Sequence, residues 1–169
     1  MGAAVGSLIA EGDKEKIHRR FWLLFDSRFC IAAVALICIY FLSHQFIALW
    51  LGEKYILGQF LLILLIVDQS IYITRLTVDH YINGYGIFRD VWAPMAEGAI
   101  NIAAALGFGF LIGYEGVILG SILSQVIIIC IWKPILLFHD GLKSSVLVYF
   151  RRVIIRYVII VFDVIGLTF

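Results

Sequence analysis

The chemically able residues of this chain are few, and they sit inside apolar sequence. The stretch VDQSIYITRLTVDHY, residues 67–81, closes a long apolar run yet carries Asp68, Arg75, Asp79 and His80. At the helical repeat Asp68, Tyr72, Arg75 and Asp79 are spaced i, i+4, i+7 and i+11, so they share a narrow arc of one helix face. A charge left alone near the middle of a bilayer costs at least about 3 kcal/mol. Such a stripe must face a water-filled cavity or partner charges on other helices, and the chemistry it offers is the holding of a charged solute or an ion. The competing reading is a structural ion pair. Arg75 and Asp79 are close enough in sequence to pair within the helix, whereas Asp68 lies two turns from Arg75. His80 is expected at the headgroup level rather than in a proton relay.

A second polar set follows. Glu97 and Asn101 are one turn apart after Pro94, on a face that could meet the stripe, and Ser121, Ser124 and Gln125 mark one side of a later apolar segment. Side chains of these types also bond helices to one another, so a path and a glue are both open. Gly109 and Gly113, then Gly116 and Gly120, repeat the small-xxx-small spacing of close helix packing. No catalytic constellation is present: there is no GxSxG, no HExxH, no P-loop and no glycine-rich dinucleotide turn. Cys30, Cys38 and Cys130 lie in apolar runs without metal-ligand spacing and read as small packing residues. His18, His44 and His139 lie near the segment edges. No cofactor, metal or enzymatic activity is expected, an intramembrane enzyme being the minor alternative.

The elements that must position these residues are membrane helices. Of 169 residues, 63% are hydrophobic and 15% charged, with a mean hydropathy of +1.02, and soluble domains are nearer half apolar and a quarter charged. The expected fold class is an all-α membrane protein with about five transmembrane helices, each roughly 20 residues long. These fall at 29–51, 58–82, 91–112, 116–138 and 153–169. Residues 1–28 read as the end of a helix that began earlier, followed by a basic loop. Residues 139–152 read as an amphipathic segment on the inner leaflet, or else as a loop and an early start to the fifth span. A net charge of +1 gives no reason to expect nucleic acid. Lysines and arginines crowd the loops of one side (Lys14, Lys16, Arg19, Arg20, Arg28, Arg89, Lys133, Lys143, Arg151, Arg152), while the opposite loops carry only Lys54, which places the basic loops in the cytoplasm. Trp22, Trp50, Trp92 and Trp132 all fall at expected interfaces.

The ordered strings VGSLIAEGDKEKIHRRF, FIALWLGEKYILG, YEGVILGSILSQ and WKPILLF resemble the O-antigen (Wzx-type) polysaccharide flippases of the multidrug/oligosaccharidyl-lipid/polysaccharide (MOP) superfamily. The resemblance covers most of residues 4–138. It implies part of a MOP/MATE-like helix bundle in the bacterial inner membrane, one that moves an undecaprenyl-diphosphate-linked oligosaccharide between leaflets. This chain is shorter than the family's members and matches best the later half of one. The implied partners are the lipid bilayer, the lipid-linked substrate and either the missing half or a second copy of the chain. A buried cation would meet the substrate's diphosphate, and the stripe nominates Arg75 for that task without a family motif behind it. The acids, Asp68 or Glu97 first among them, would then set the position of Arg75 or couple to a proton or sodium gradient, and Gln125 and Asn101 complete the expected path. Two alternatives stand beside this reading, a cation-coupled multidrug exporter of the same superfamily and an intramembrane glycosyltransferase or polymerase. The short outer loops argue against the last.

Overall fold

The computed structural model describes the backbone of residues 2–168, and the side chains other than those of 1–3, 90 and 161–169. Regular structure among the described residues is entirely helical. A short α1 (Gly2–Ala10) precedes α2 (Lys14–Trp50), α3 (Gln59–Gly84), α4 (Ala93–Ile112), α5 (Tyr114–Gly141) and α6 (Val146–Thr168). Four of these, α2 to α5, are long and apolar enough to cross a membrane. The expected fifth span lies in α6, partly beyond the described side chains.

The basic stretch before the first span is helix, where a loop was expected. Asp13 caps it, its side chain accepting the Lys16 backbone N–H at 3.0 Å, and Glu15 sits favourably in the first turn. Ile17, Phe21, Phe25, Phe29 and Ala32 recur every three or four residues and are all buried, so the apolar stripe carries the helix straight through the charged segment. At 37 residues α2 is about 55 Å long, nearly twice the hydrocarbon thickness. Its first half therefore projects past the membrane. Gly52, with φ of 96°, lets the chain turn out of its far end.

The α4–α5 hairpin turns on Gly113, whose φ is 71°. A Cβ on Gly116 would lie 2.1 Å from the Phe108 carbonyl oxygen, and one on Gly120 would lie 2.4 Å from the Ala105 nitrogen. Close packing thus rests on Gly116 and Gly120, while Gly109 meets only the Val117 side chain, at 3.2 Å. Farther along, α5 widens to π-helix over Val126–Trp132 and Leu137–Gly141, with the Lys133 N–H bonding back to the Ile128 carbonyl. Pro134 explains the change of register. A proline ring clashes with the carbonyl four residues earlier and offers no N–H to it, and a wider turn relieves both.

Residues 139–152 do not form one surface segment. They divide between the end of α5, a turn, and the first turns of α6, because Val146, Tyr149, Phe150 and Val153 extend the apolar pattern of α6 into the core. That core is an aromatic cluster at one end of the bundle. Phe21 meets Tyr81 edge-on at 5.1 Å and Phe138 at 5.7 Å, and Phe25 meets Tyr149 at 5.6 Å. Around it, Arg152 lies 4.3 Å over the Trp22 ring, Arg89 reaches Asp140 at 3.3 Å, and His18 bonds Ser144 at 2.9 Å. The basic segments therefore meet at one end, as alternating crossings require. Away from this end the apolar faces are bare: Leu49, Phe110 and Leu111 are largely exposed, as are Cys30 and Cys38, which line the outer surface rather than a helix contact. Such a surface suits hydrocarbon.

Candidate functional site

The polar stripe of α3 faces α4 and α5. Arg75 Nε donates to Asp79 Oδ2 at 2.8 Å, and Arg75 Nη1 donates to Glu97 Oε1 on α4 at 2.9 Å. Behind Asp79, Lys133 Nζ of α5 donates to Oδ1 at 2.5 Å. Among the described residues, two cations and two carboxylates from three helices thus join in one network. Its members are shielded, with Lys133 only 4% exposed and Glu97 16%. Mutual pairing offsets the large cost of carrying charge in a low-dielectric bundle. Glu97 Oε2 is buried without a hydrogen-bond partner, so the network retains an unused acceptor.

Two turns earlier on α3, about 10 Å along the axis, Asp68 forms a second cluster. Its Oδ1 accepts from Ser121 Oγ at 2.9 Å and from Gln125 Nε2 at 2.6 Å. Gln125 Nε2 also donates to Ser121 Oγ at 3.1 Å, Ser124 Oγ donates to the Ser121 carbonyl at 2.8 Å, and Asn101 Nδ2 reaches Ser124 Oγ at 3.4 Å. Neutral donors alone hold this carboxylate, and no cation lies within ion-pair distance of it among the described residues. Gln125 Oε1, like Glu97 Oε2, is buried and unpartnered.

Of the expected site residues, Asp68, Arg75, Asp79, Glu97, Asn101 and Gln125 all fall into these two clusters. Tyr72 does not. It is 49% exposed, and its hydroxyl makes no hydrogen bond among the described residues. His80 binds the Leu76 carbonyl through Nδ1 and faces α1 and α2 instead. The i,i+4 pair of Arg75 with Asp79 does form, so the structural ion pair and the cross-helix network are the same object. Lys133 is the member that sequence reasoning missed. In the sequence it falls with the loop cations, because it stands beside Pro134 at the end of an apolar run. Its inward aim depends on the π-helical turns before it, which rotate less per residue than α-helix and bring Lys133 around toward α3.

Chemically, the network can hold an anion. Arg75 presents a planar fork suited to phosphate or carboxylate, and Asp79 and Glu97 occupy that fork in this conformation. No group of three or more metal-ligating His, Cys, Asp or Glu side chains occurs among the described residues. Comparisons with family models, with curated proteins and with solved structures find no match to this chain.

Proposed function

We propose that this chain forms part of a path that translocates an undecaprenyl-diphosphate-linked oligosaccharide across the bacterial inner membrane, with its basic end in the cytoplasm. The observation that carries the reading is Arg75, held between carboxylates of two helices inside a membrane bundle, with Lys133 a second cation on the same carboxylate. A diphosphate competes with Asp79 and Glu97 for the guanidinium. The carboxylates keep the cations neutralised when no substrate is present, which lowers the cost of an empty path. Exchange of partners at Arg75 then couples substrate arrival to the loosening of contacts among α3, α4 and α5. The opposite wall of the path is supplied by a companion half or by a second copy of the chain.

The test is made in cells that depend on the chain for surface polysaccharide. Arg75→Ala is expected to stop polymer reaching the surface while the protein remains in the membrane at its normal level. Normal export by this variant removes the diphosphate role. Asp68, a carboxylate without a cationic partner among the described residues, is the feature that favours the exporter alternative, and resistance to organic cations that is lost in Asp68→Asn would support it.

A further inference from the structure

Gln69 stands about 15 Å along α3 from Gln59, at the middle of a span. Its side chain is exposed and makes no hydrogen bond among the described residues. Tyr72, the next exposed residue on that side, tolerates hydrocarbon through its ring. A primary amide does not, because lipid offers nothing to replace its bonds to water. The opposite side of α3 shows what a lipid face carries: Ile63 and Val67 are exposed there, and both are apolar. A second helix is a poor cover for Gln69. Close association of membrane helices relies on small residues, whereas the neighbours of Gln69 and Tyr72 on their face, at the spacing i, i+4, i+7 and i+11, are Leu65 and Leu76. This face of α3 is therefore suited to water and to a solute carried in it.

Gln69, Tyr72 and Arg75 follow one another at intervals of three, so each adjoins the one before it on the helix surface. Arg75 keeps 19% of its side chain exposed despite its two ion pairs. The anion site thus continues, about 4.5 Å and then about 9 Å along the axis, into an exposed phenol and an exposed amide. Neither of these is charged. The amide offers donors and an acceptor to neighbouring hydroxyls, and the phenol offers a flat apolar face with a polar tip. A sugar ring, with C–H groups on its faces and hydroxyls around its edge, meets both. We propose that Gln69 and Tyr72 form a saccharide subsite for the first sugar after the diphosphate, Tyr72 stacking on the ring and Gln69 bonding its hydroxyls. The subsite builds on the assignment of the diphosphate to Arg75, and it places the sugar toward the middle of the membrane.

Cysteine protection tests this in membranes from cells that carry the full chain in its native setting. The reporter is Leu65→Cys, one turn from Gln69, with Val67→Cys on the opposite side as control. Labelling by a charged, water-soluble thiol reagent is read by mass spectrometry of the peptide that holds the reporter, so the three native cysteines do not interfere. Leu65→Cys is expected to react and Val67→Cys is not. The cells' own oligosaccharide, freed from its lipid, should slow labelling of Leu65→Cys, and a maltooligosaccharide of equal length should do so less. Adding Tyr72→Ala or Gln69→Leu should raise the protecting concentration about tenfold, the size of one lost contact, while Tyr72→Phe keeps the ring and most of the protection. No labelling of Leu65→Cys would overturn the proposal, since lipid or another helix would then cover the face. Labelling without protection, or protection unchanged by Tyr72→Ala and Gln69→Leu, would overturn it too. The diphosphate assignment fails separately: Arg75→Ala should weaken protection by the lipid-linked oligosaccharide but not by the freed one, and if it weakens neither, Arg75 loses its role while the saccharide subsite stands.

Discussion

Asp79 serves two cations at once, Arg75 through Oδ2 and Lys133 through Oδ1, and its removal or theirs should be felt well beyond one hydrogen bond. Deleting one partner of a buried ion pair commonly costs about 3–5 kcal/mol, because the other charge is left uncompensated. Lys133→Met is therefore expected to lower the thermal midpoint in detergent clearly. Adding Asp79→Asn to it should recover part of the loss, a coupling that a double-mutant cycle would measure. Independent, additive losses would mean that Lys133 and Asp79 do not act as a pair. At this scale the sequence was informative about α3: the i, i+4, i+7, i+11 spacing put Asp68, Arg75 and Asp79 on one face, and a membrane setting required partners for them. Tyr72 shared that arc yet points outward, since a phenol tolerates an apolar surface that a carboxylate does not. Lys133 was hidden because its direction is set by backbone geometry outside the α-helical period.

Among the elements, the α4–α5 hairpin is the most tightly specified. The backbones approach so closely at Gly116 and Gly120 that any Cβ would overlap main-chain atoms, and main chain cannot swing aside as a side chain can. Gly120→Leu is expected to part the two helices, lowering both thermal stability and cross-linking between cysteines placed at facing positions. Gly107, also in α4, has nothing within 4 Å of a built Cβ. Gly107→Ala should be neutral or stabilise slightly, by up to about 1 kcal/mol, since alanine is the better helix former. Equal damage from both changes would contradict the packing account. The glycine spacing announced this contact in the sequence. The helical course of residues 14–28 could also have been read, from Ile17, Phe21, Phe25 and Phe29, but the dense charge around them imitates a loop. The π-helical turns of α5 left no sign except Pro134, whose effect on register depends on what packs around it.

At the scale of the molecule, four helices among the described residues are long and apolar enough to cross a membrane, and aromatic and ionic contacts gather the basic segments at one end. A cysteine introduced at Lys54 should react with an impermeant thiol reagent from outside intact cells. One at Lys143 should react only after permeabilisation. The reverse pattern would invert the orientation, and labelling of both from one side would break the alternation of spans. The composition alone established a helical membrane protein, because few charges and long apolar runs leave no other way to satisfy the backbone in lipid. The proposed path rests on a few polar contacts, and composition is blind to those. The direct measurement is made on inverted inner-membrane vesicles from cells expressing the chain in its native setting, following how fast a lipid-diphosphate-linked oligosaccharide becomes protected from an added glycosidase. Vesicles with the unaltered protein should protect it as it moves to the inner leaflet, and vesicles with Arg75→Ala should do so about tenfold more slowly or not at all, in line with the loss of charge-assisted bonds to phosphate. Equal rates in the two would contradict the assignment of Arg75 to the path.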